Sequence, residues 1–198
     1  MTSALIVIDV QNDFCPGGAL AIKEGDQIVT PINRMIEDAS IVILTQDWHS
    51  RNHTSFSDNH PGSNPFDVIE MPYGPQTLWP KHCVMGSHGA DFHPLLNTSN
   101  ANAIIRKGST PTIDSYSTFF ENDRVTPTGL SGLLLEKGVR SLILVGLATD
   151  FCVAFSAIDA VSLGFDVSIP MHACRAINNQ GSLDEALNNL KSSGVRLV

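Results

Sequence analysis

Ser141-Leu142-Ile143-Leu144-Val145, running straight into Gly146-Leu147-Ala148-Thr149-Asp150-Phe151-Cys152, decides the fold. A continuous apolar run of this length suits a strand buried on both faces, as in a parallel sheet. The glycine-containing turn then opens a mostly apolar helical pattern over 149–163, which Gly164 ends. The same kind of run recurs at 4–8, 41–44, 103–105 and 165–169, with a last one at 195–198. Helical patterns lie between them. Residues 26–39 carry Ile28, Val29, Ile32, Met35 and Ile36 at helical spacing, with Pro31 early enough for a first turn to accept it. Residues 128–137 form a short pattern with Gly138 as its stop. Ser182–Ser192 begins with Ser182 and has Glu185 three residues on, a capping-box pattern. Strands alternating with helices imply an α/β fold, a three-layer doubly wound sandwich with a mostly parallel six-stranded sheet. A length of 198 residues favours a single compact domain over 1–198.

Hydrophobic residues at 42% and charged residues at 16% supply a real core and are far from a disordered composition. Twelve Lys and Arg against 20 Asp and Glu leave a formal net charge of −8. No basic cluster interrupts that balance, so a phosphate backbone would be repelled and nucleic acid is not an expected partner. Cys15, Cys83, Cys152 and Cys174 could by count form two disulfides. However, Met1-Thr2-Ser3 runs directly into the apolar stretch 4–10, which has neither a basic start nor a cleavage site. No apolar run is long enough to span a membrane. A cytoplasmic location is therefore expected, with reduced cysteines used for packing or chemistry.

Residues 47–102 break the rhythm. Proline, glycine, asparagine and histidine dominate there, and six of the seven histidines fall in it: His49, His53, His60, His82, His88 and His93. So long an irregular stretch inside a compact domain is usually functional. It reads as an insertion within the domain.

Sites in open α/β sheets form beyond the carboxyl ends of the strands. Each predicted strand has a polar residue there: Asp9, then Asp47-Trp48-His49, then Arg106-Lys107-Gly108, then the turn to Cys152. Cys152 should open a helix, where the helix N-terminus favours a thiolate. The N–H groups of Ala148 and Cys152 could share an oxyanion hole. The plainer reading makes Cys152 a small buried hydrophobe. Asp9 is either a cap of the following turn or a general base for the thiol. Lys107 is either solvated or a partner that keeps Asp9 ionised and helps favour a thiolate. In Asp47-x-His49 on an extended segment both side chains point to one face, as two ligands of one ion would. His82, folded back by the loop, would make a third, and His53 is an additional candidate. A carboxylate with two imidazoles suits one divalent transition metal, Zn, Fe or Mn. The alternative is a histidine-rich loop making ordinary hydrogen bonds.

These residues together resemble the nicotinamidase/pyrazinamidase branch of the isochorismatase-like cysteine hydrolases, over almost the whole chain. The likeness is carried by Ile8-Asp9-Val10-Gln11-Asn12-Asp13-Phe14, Asp47-Trp48-His49 with Asn52-His53, and Leu78-Trp79-Pro80-Lys81-His82-Cys83. It continues through Gly89-Ala90-Asp91-Phe92-His93, Lys107-Gly108 and Gly146-Leu147-Ala148-Thr149-Asp150-Phe151-Cys152-Val153. The resemblance implies the isochorismatase-like hydrolase fold and a triad of Asp9, Lys107 and Cys152. It also implies an oxyanion hole at Ala148 and Cys152 after a cis Leu147-Ala148 peptide. The metal would sit at Asp47, His49 and His82. Phe14 and Trp79 would sandwich the ring, with Tyr116 nearby. The activity implied is hydrolysis of nicotinamide to nicotinate and ammonia through a cysteine thioester, with pyrazinamide as a further substrate. Leu147 and Phe151 depart from the family pattern in ways that could alter pocket shape. Another amidase or isochorismatase-type hydrolase, a metal-bound water as nucleophile, and a non-catalytic metal- or ligand-binding module are the competing readings. The sequence leaves a homo-oligomer open.

Overall fold

The computed structural model describes residues 2–198. In chain order it contains β1 (Thr2–Ile8), α1 (Val29–Asp38), β2 (Val42–Asp47), the short strands β3 (Val68–Met71) and β4 (Gly74–Thr77), and β5 (Ala103–Lys107). Then come α2 (Leu130–Glu136), β6 (Val139–Leu147), α3 (Ala154–Ser162), β7 (Asp166–Ile169), β8 (Cys174–Arg175), α4 (Ser182–Ser192) and β9 (Arg196–Leu197). The main sheet runs β5-β2-β1-β6-β7-β9, all parallel, and β8 adds to the carboxyl end of β6. The six expected strands are thus the six of the main path; β8 is a two-residue seventh.

The central strands are buried along their whole apolar runs, as a sheet covered on both faces requires. Residues 4–8 of β1 and Val42, Ile43, Leu44, Leu142, Leu144 and Val145 on its neighbours are all at most 2% exposed. From β1 the chain winds outward to β2 and β5, then returns to β6 and winds the other way. The switch point of the sheet therefore lies between β1 and β6, where open α/β folds place their ligands. Gly146 permits the close approach of these two strands. It has φ +124°, and a Cβ there would lie 2.1 Å from the Ile8 carbonyl oxygen.

The structure departs from the sequence reading in three places. The irregular segment contains a small antiparallel hairpin, β3 with β4. The helix expected over 149–163 is a π turn at Thr149–Val153 followed by α3. The capping box of α4 does not form. Gly181 caps the helix, and the Ser182 hydroxyl instead donates to Asp150 Oδ2 at 2.6 Å. That carboxylate also accepts the Ile177 and Asn178 N–H groups, so Asp150 pins the turn bearing Cys152 to the α4 entrance. All four cysteines are buried and unpaired. Among the described residues no helix is long and apolar enough to cross a membrane.

Candidate active site and metal centre

Three neighbouring strand ends and one turn deliver a cluster of ionisable groups. The register pairs Asp47 with Lys107 directly across β2 and β5. The Lys107 ammonium sits 2.5 Å from Asp47 Oδ1, 3.0 Å from Asp9 Oδ2 and 3.4 Å from Cys152 Sγ. It also donates to the Ser115 carbonyl at 2.7 Å. Lys107 and Asp9 are 1% and 0% exposed, so neither is the solvated lysine or turn cap of the plainer readings. Asp9 stands at φ +52° and accepts a 2.6 Å bond on Oδ1 from the Thr45 hydroxyl. Its Oδ2 has no hydrogen bond in line among the described residues. Carboxylate oxygens of Asp9 and Asp47 and the Cys152 sulfur all lie within 4.8 Å of one another.

Electrostatics decide which of these groups carries charge. Burial raises Asp9 to about 6, with Lys107 opposing the rise and Asp47 adding to it. Burial also works to raise Asp47, but Lys107, His49 and His82 outweigh it and hold that carboxyl below its usual range. Burial works to neutralise Lys107, yet Asp47 and Asp9 win and keep it charged. Cys152 contradicts the sequence expectation. Burial, together with Asp9 and Asp47, outweighs Lys107 and lifts the thiol well above its usual value. The balance favours a thiol beside a carboxylate of raised pKa.

Beside this cluster, Asp47 Oδ2 lies 3.8 Å from His49 Nε2 and 3.9 Å from His82 Nε2. Each imidazole donates its Nδ1–H to a carbonyl, His49 to Gly108 at 2.8 Å and His82 to Pro80 at 2.7 Å. That fixes the tautomer and leaves both Nε2 atoms free to ligate, as supporting bonds do around metal-bound histidines. The chemistry of this donor set fits one divalent transition ion. Gly108 is required here: at φ +65°, a Cβ would lie 2.4 Å from His49 Cε1. Gln11 sets Asp47 by gripping its backbone, accepting from Asp47 N at 2.8 Å and donating to Asp47 O at 2.9 Å. His53 stacks on His49 at 4.3 Å between ring centroids, with one nitrogen on Ser55 Oγ and the other on the Ile113 carbonyl. It therefore backs the trio. Its ring forms a separate group with His49 and Asp114. Cys83 is buried with its thiol turned to the Gly89 carbonyl. His60 bonds the Thr54 carbonyl, and His88 is exposed.

Between the cluster and the trio opens a narrow slot with space for little more than a water molecule as it stands, about 20 Å³. Phe14, Trp79, Tyr116, Ala148 and Cys152 line it, as expected, with Asp47 and His82. Leu20, Asp114, Phe151 and Ile177 line it too and had not been assigned to it. Trp79 Nε1 donates to the Tyr116 hydroxyl at 3.2 Å, which holds both rings in place. The Leu147-Ala148 peptide is cis, and the Ala148 carbonyl accepts from Phe151 and Val153. Thr45, Gln11 and Asp114 are buried polar groups that no local sequence pattern marks. Only Gln11, inside the Asp9 motif, carried any signal.

A fold of this topology with a buried Asp-Lys-Cys cluster at its switch point defines a class of cysteine hydrolase. The Isochorismatase domain family matches residues 3–198, and the chain belongs to that family. Within it, the chain is 51% identical over 195 residues to the nicotinamidase of Acinetobacter baylyi, covering 98% of this chain and 91% of that one. A crystal structure of PnC1 from L. infantum in complex with nicotinate is 39% identical, with a TM-score of 0.87 over 100% of this chain and 92% of that one. The pyrazinamidase of Pyrococcus horikoshii in complex with zinc is 34% identical, with a TM-score of 0.80 over 100% of this chain and 99% of that one.

Proposed function

We propose that this chain is a nicotinamidase that cleaves nicotinamide, and pyrazinamide as well, through a Cys152 thioester. Residues 1–198 act as one catalytic domain in the cytoplasm, with 47–102 as its metal-binding insertion. Asp9 takes the Cys152 thiol proton as sulfur attacks the carboxamide carbon. The N–H groups of Ala148 and Cys152 hold the oxygen that becomes negative. Asp9 then hands its proton to the departing nitrogen, which leaves as ammonia, and the acyl group stays on sulfur. Asp9 next takes a proton from water as that water attacks the thioester. Collapse releases nicotinate, and the sulfur regains its proton. Lys107 keeps Asp9 and Asp47 charged despite their burial. Phe14 and Trp79 grip the ring, with Tyr116 steadying Trp79. A divalent ion, zinc, iron or manganese, held by Asp47, His49 and His82 would supply an electrophilic anchor for the pyridine nitrogen.

The observation that supports this reading most is one ammonium shared between Asp9 beside the thiol and Asp47 of the trio. It couples the Cys152 thiol to the trio across one wall of the aromatic slot. The test is ammonia release from nicotinamide by the purified chain and by Cys152→Ala, each as isolated and after chelation. Activity that needs both Cys152 and metal is the expected result. Activity that survives Cys152→Ala would move the nucleophile off the cysteine and sink the thioester route. No release by the metal-loaded wild type would overturn the substrate.

A further inference from the structure

A wall of aromatic rings separates the slot from a second, larger groove. Phe66 meets Trp79 at 5.9 Å between ring centroids, Trp79 meets Phe151 at 4.9 Å, Phe151 meets Tyr116 at 5.6 Å, and Tyr116 meets Phe155 at 5.1 Å. All four contacts are edge-to-face, the arrangement aromatic quadrupoles favour, so the wall is held by its own packing. Trp79 and Tyr116 line the slot, and Phe66 and Phe155 line the groove. Phe151 is the ring that lines both. Behind it the groove holds about 420 Å³ and opens to solvent. Its inner side is apolar, with Val68 and Ile158 beside the phenylalanines, and its outer side is the polar face of α4 at Glu185 and Asn189.

The Phe151 side chain is separable from the nucleophile next to it. The Cys152 backbone is held by the Ser156 hydroxyl, which donates to the Cys152 carbonyl at 2.5 Å. The turn is held by the Asp150 carboxylate and by the Ala148 carbonyl. None of these bonds uses the Phe151 ring. Removing that ring would join slot and groove while leaving the sulfur in place.

We propose that Phe151 is the partition that confines this site to single-ring carboxamides, and that the groove behind it is a subsite for an apolar substituent carried on the ring. The proposal rests on the nicotinamidase reading above. With the ring nitrogen toward Asp47 and His82 and the carboxamide at Cys152, the ring position meta to both is the edge that points at neither. Phe151 lines the slot, and in the proposed pose a substituent on that edge lies against it. The cost of admitting it is the loss of the Phe151 edge against the smaller substrate.

The test compares kcat/KM for nicotinamide and 5-phenylnicotinamide with the metal-loaded wild type, Phe151→Ala, and Phe151→Ala combined with Asn189→Trp, which refills the groove from α4. The ratio of phenyl to parent substrate should rise at least about tenfold in Phe151→Ala, the low end for burying a phenyl group. It should fall back when Asn189→Trp is added. An unchanged ratio overturns the proposal, as does a rise that Asn189→Trp leaves intact. If Phe151→Ala turns over poorly, calorimetric binding of the product analogue 5-phenylnicotinate replaces turnover. Tightening of at least about tenfold over the wild type supports the partition, and no tightening overturns it. A wild type that releases no ammonia from nicotinamide marks a failure of the activity reading instead.

Discussion

Replacing Lys107 by methionine keeps most of the side-chain volume and deletes one buried charge. In the wild type that ammonium stands 3.0 Å from Asp9 and 2.5 Å from Asp47. At an effective dielectric of about 20 each attraction is on the order of 5 kcal/mol, most of it offset by the cost of burying the ions. Removing one member of such a group leaves the others uncompensated and costs about 3–5 kcal/mol. Set against a total stability of about 5–15 kcal/mol, the loss is large. It also depends on pH. Burial raises Asp9 to about 6 even with Lys107 opposing, so without Lys107 its pKa climbs further. An acid whose folded pKa exceeds its unfolded one binds more protons in the native state, so stability falls as pH rises through that window. Urea unfolding of the chelated proteins at about pH 5 and about pH 7 reads this directly. Lys107→Met should lose about 3–5 kcal/mol at the higher pH and visibly less at the lower. Adding Asp9→Asn should restore about 1–3 kcal/mol at the higher pH, because the orphaned carboxylate is gone. A loss under about 1 kcal/mol, or an equal loss at both pH values with no recovery in the double variant, would refute the view that Lys107 compensates Asp9.

Gly108→Ala should weaken metal binding about 10–100-fold, the range for disturbing a bond that orients a ligand. The new Cβ would fall 2.4 Å from His49 Cε1 and 2.7 Å from Nδ1, displacing the ring. Competition with a chromophoric chelator measures it, and unchanged affinity would show that His49 is not a ligand. The acid limb of kcat/KM for nicotinamide should lie near Asp9's raised value of about 6, since the base must be ionised to accept the thiol proton. A limb at about 4, where an unperturbed carboxyl titrates, would rule out Asp9 as that base.

The sheet was legible because its central strands are largely buried on both faces and read as continuous apolar runs, as at 4–8 and 141–145. Polar residues at their ends stood out against those runs, so Asp9, Asp47 and Lys107 were visible one at a time. The β3–β4 hairpin was not visible. Its strands hold four residues each, Val68 is 63% exposed, and Pro75 sits in the second, so neither periodicity nor propensity marks it. The α4 capping box misled because a local signal lost to a tertiary one. Asp150 lies 32 residues before Ser182 and takes its hydroxyl. The same reason hid Gln11, Thr45 and Asp114. Each acts through a bond to a residue 36 or more positions away, on Asp47, Asp9 and Gln76. The spacing of His53 from His49 left it as an extra ligand or a supporting residue, and its nitrogens bond Ser55 and Ile113 while its ring also groups with His49 and Asp114.

The largest revision concerns the nucleophile, and it changes what Lys107 is for. Position alone suggested a thiolate, stabilised by a helix end and a nearby cation. In the folded protein the cation is claimed by two carboxylates at 3.0 Å or less and reaches the sulfur only at 3.4 Å. Two anions and one cation share a space where a third anion would lack its own counter-charge, and burial with Asp9 and Asp47 pushes the sulfur toward the thiol form. In the proposed mechanism the thiol is activated only as attack begins, when its proton passes to a carboxyl whose pKa burial has already raised toward neutrality. Lys107 does not make the thiolate. It allows two carboxylates to stay ionised within 4.8 Å of one thiol, and the proposed mechanism uses one to take the proton and the other to hold the ion. The adjacency of Asp47 and Lys107 across β2 and β5 builds that arrangement into the sheet register itself. A one-residue slip of β5 would turn Lys107 to the opposite face and take its charge from both halves of the site at once.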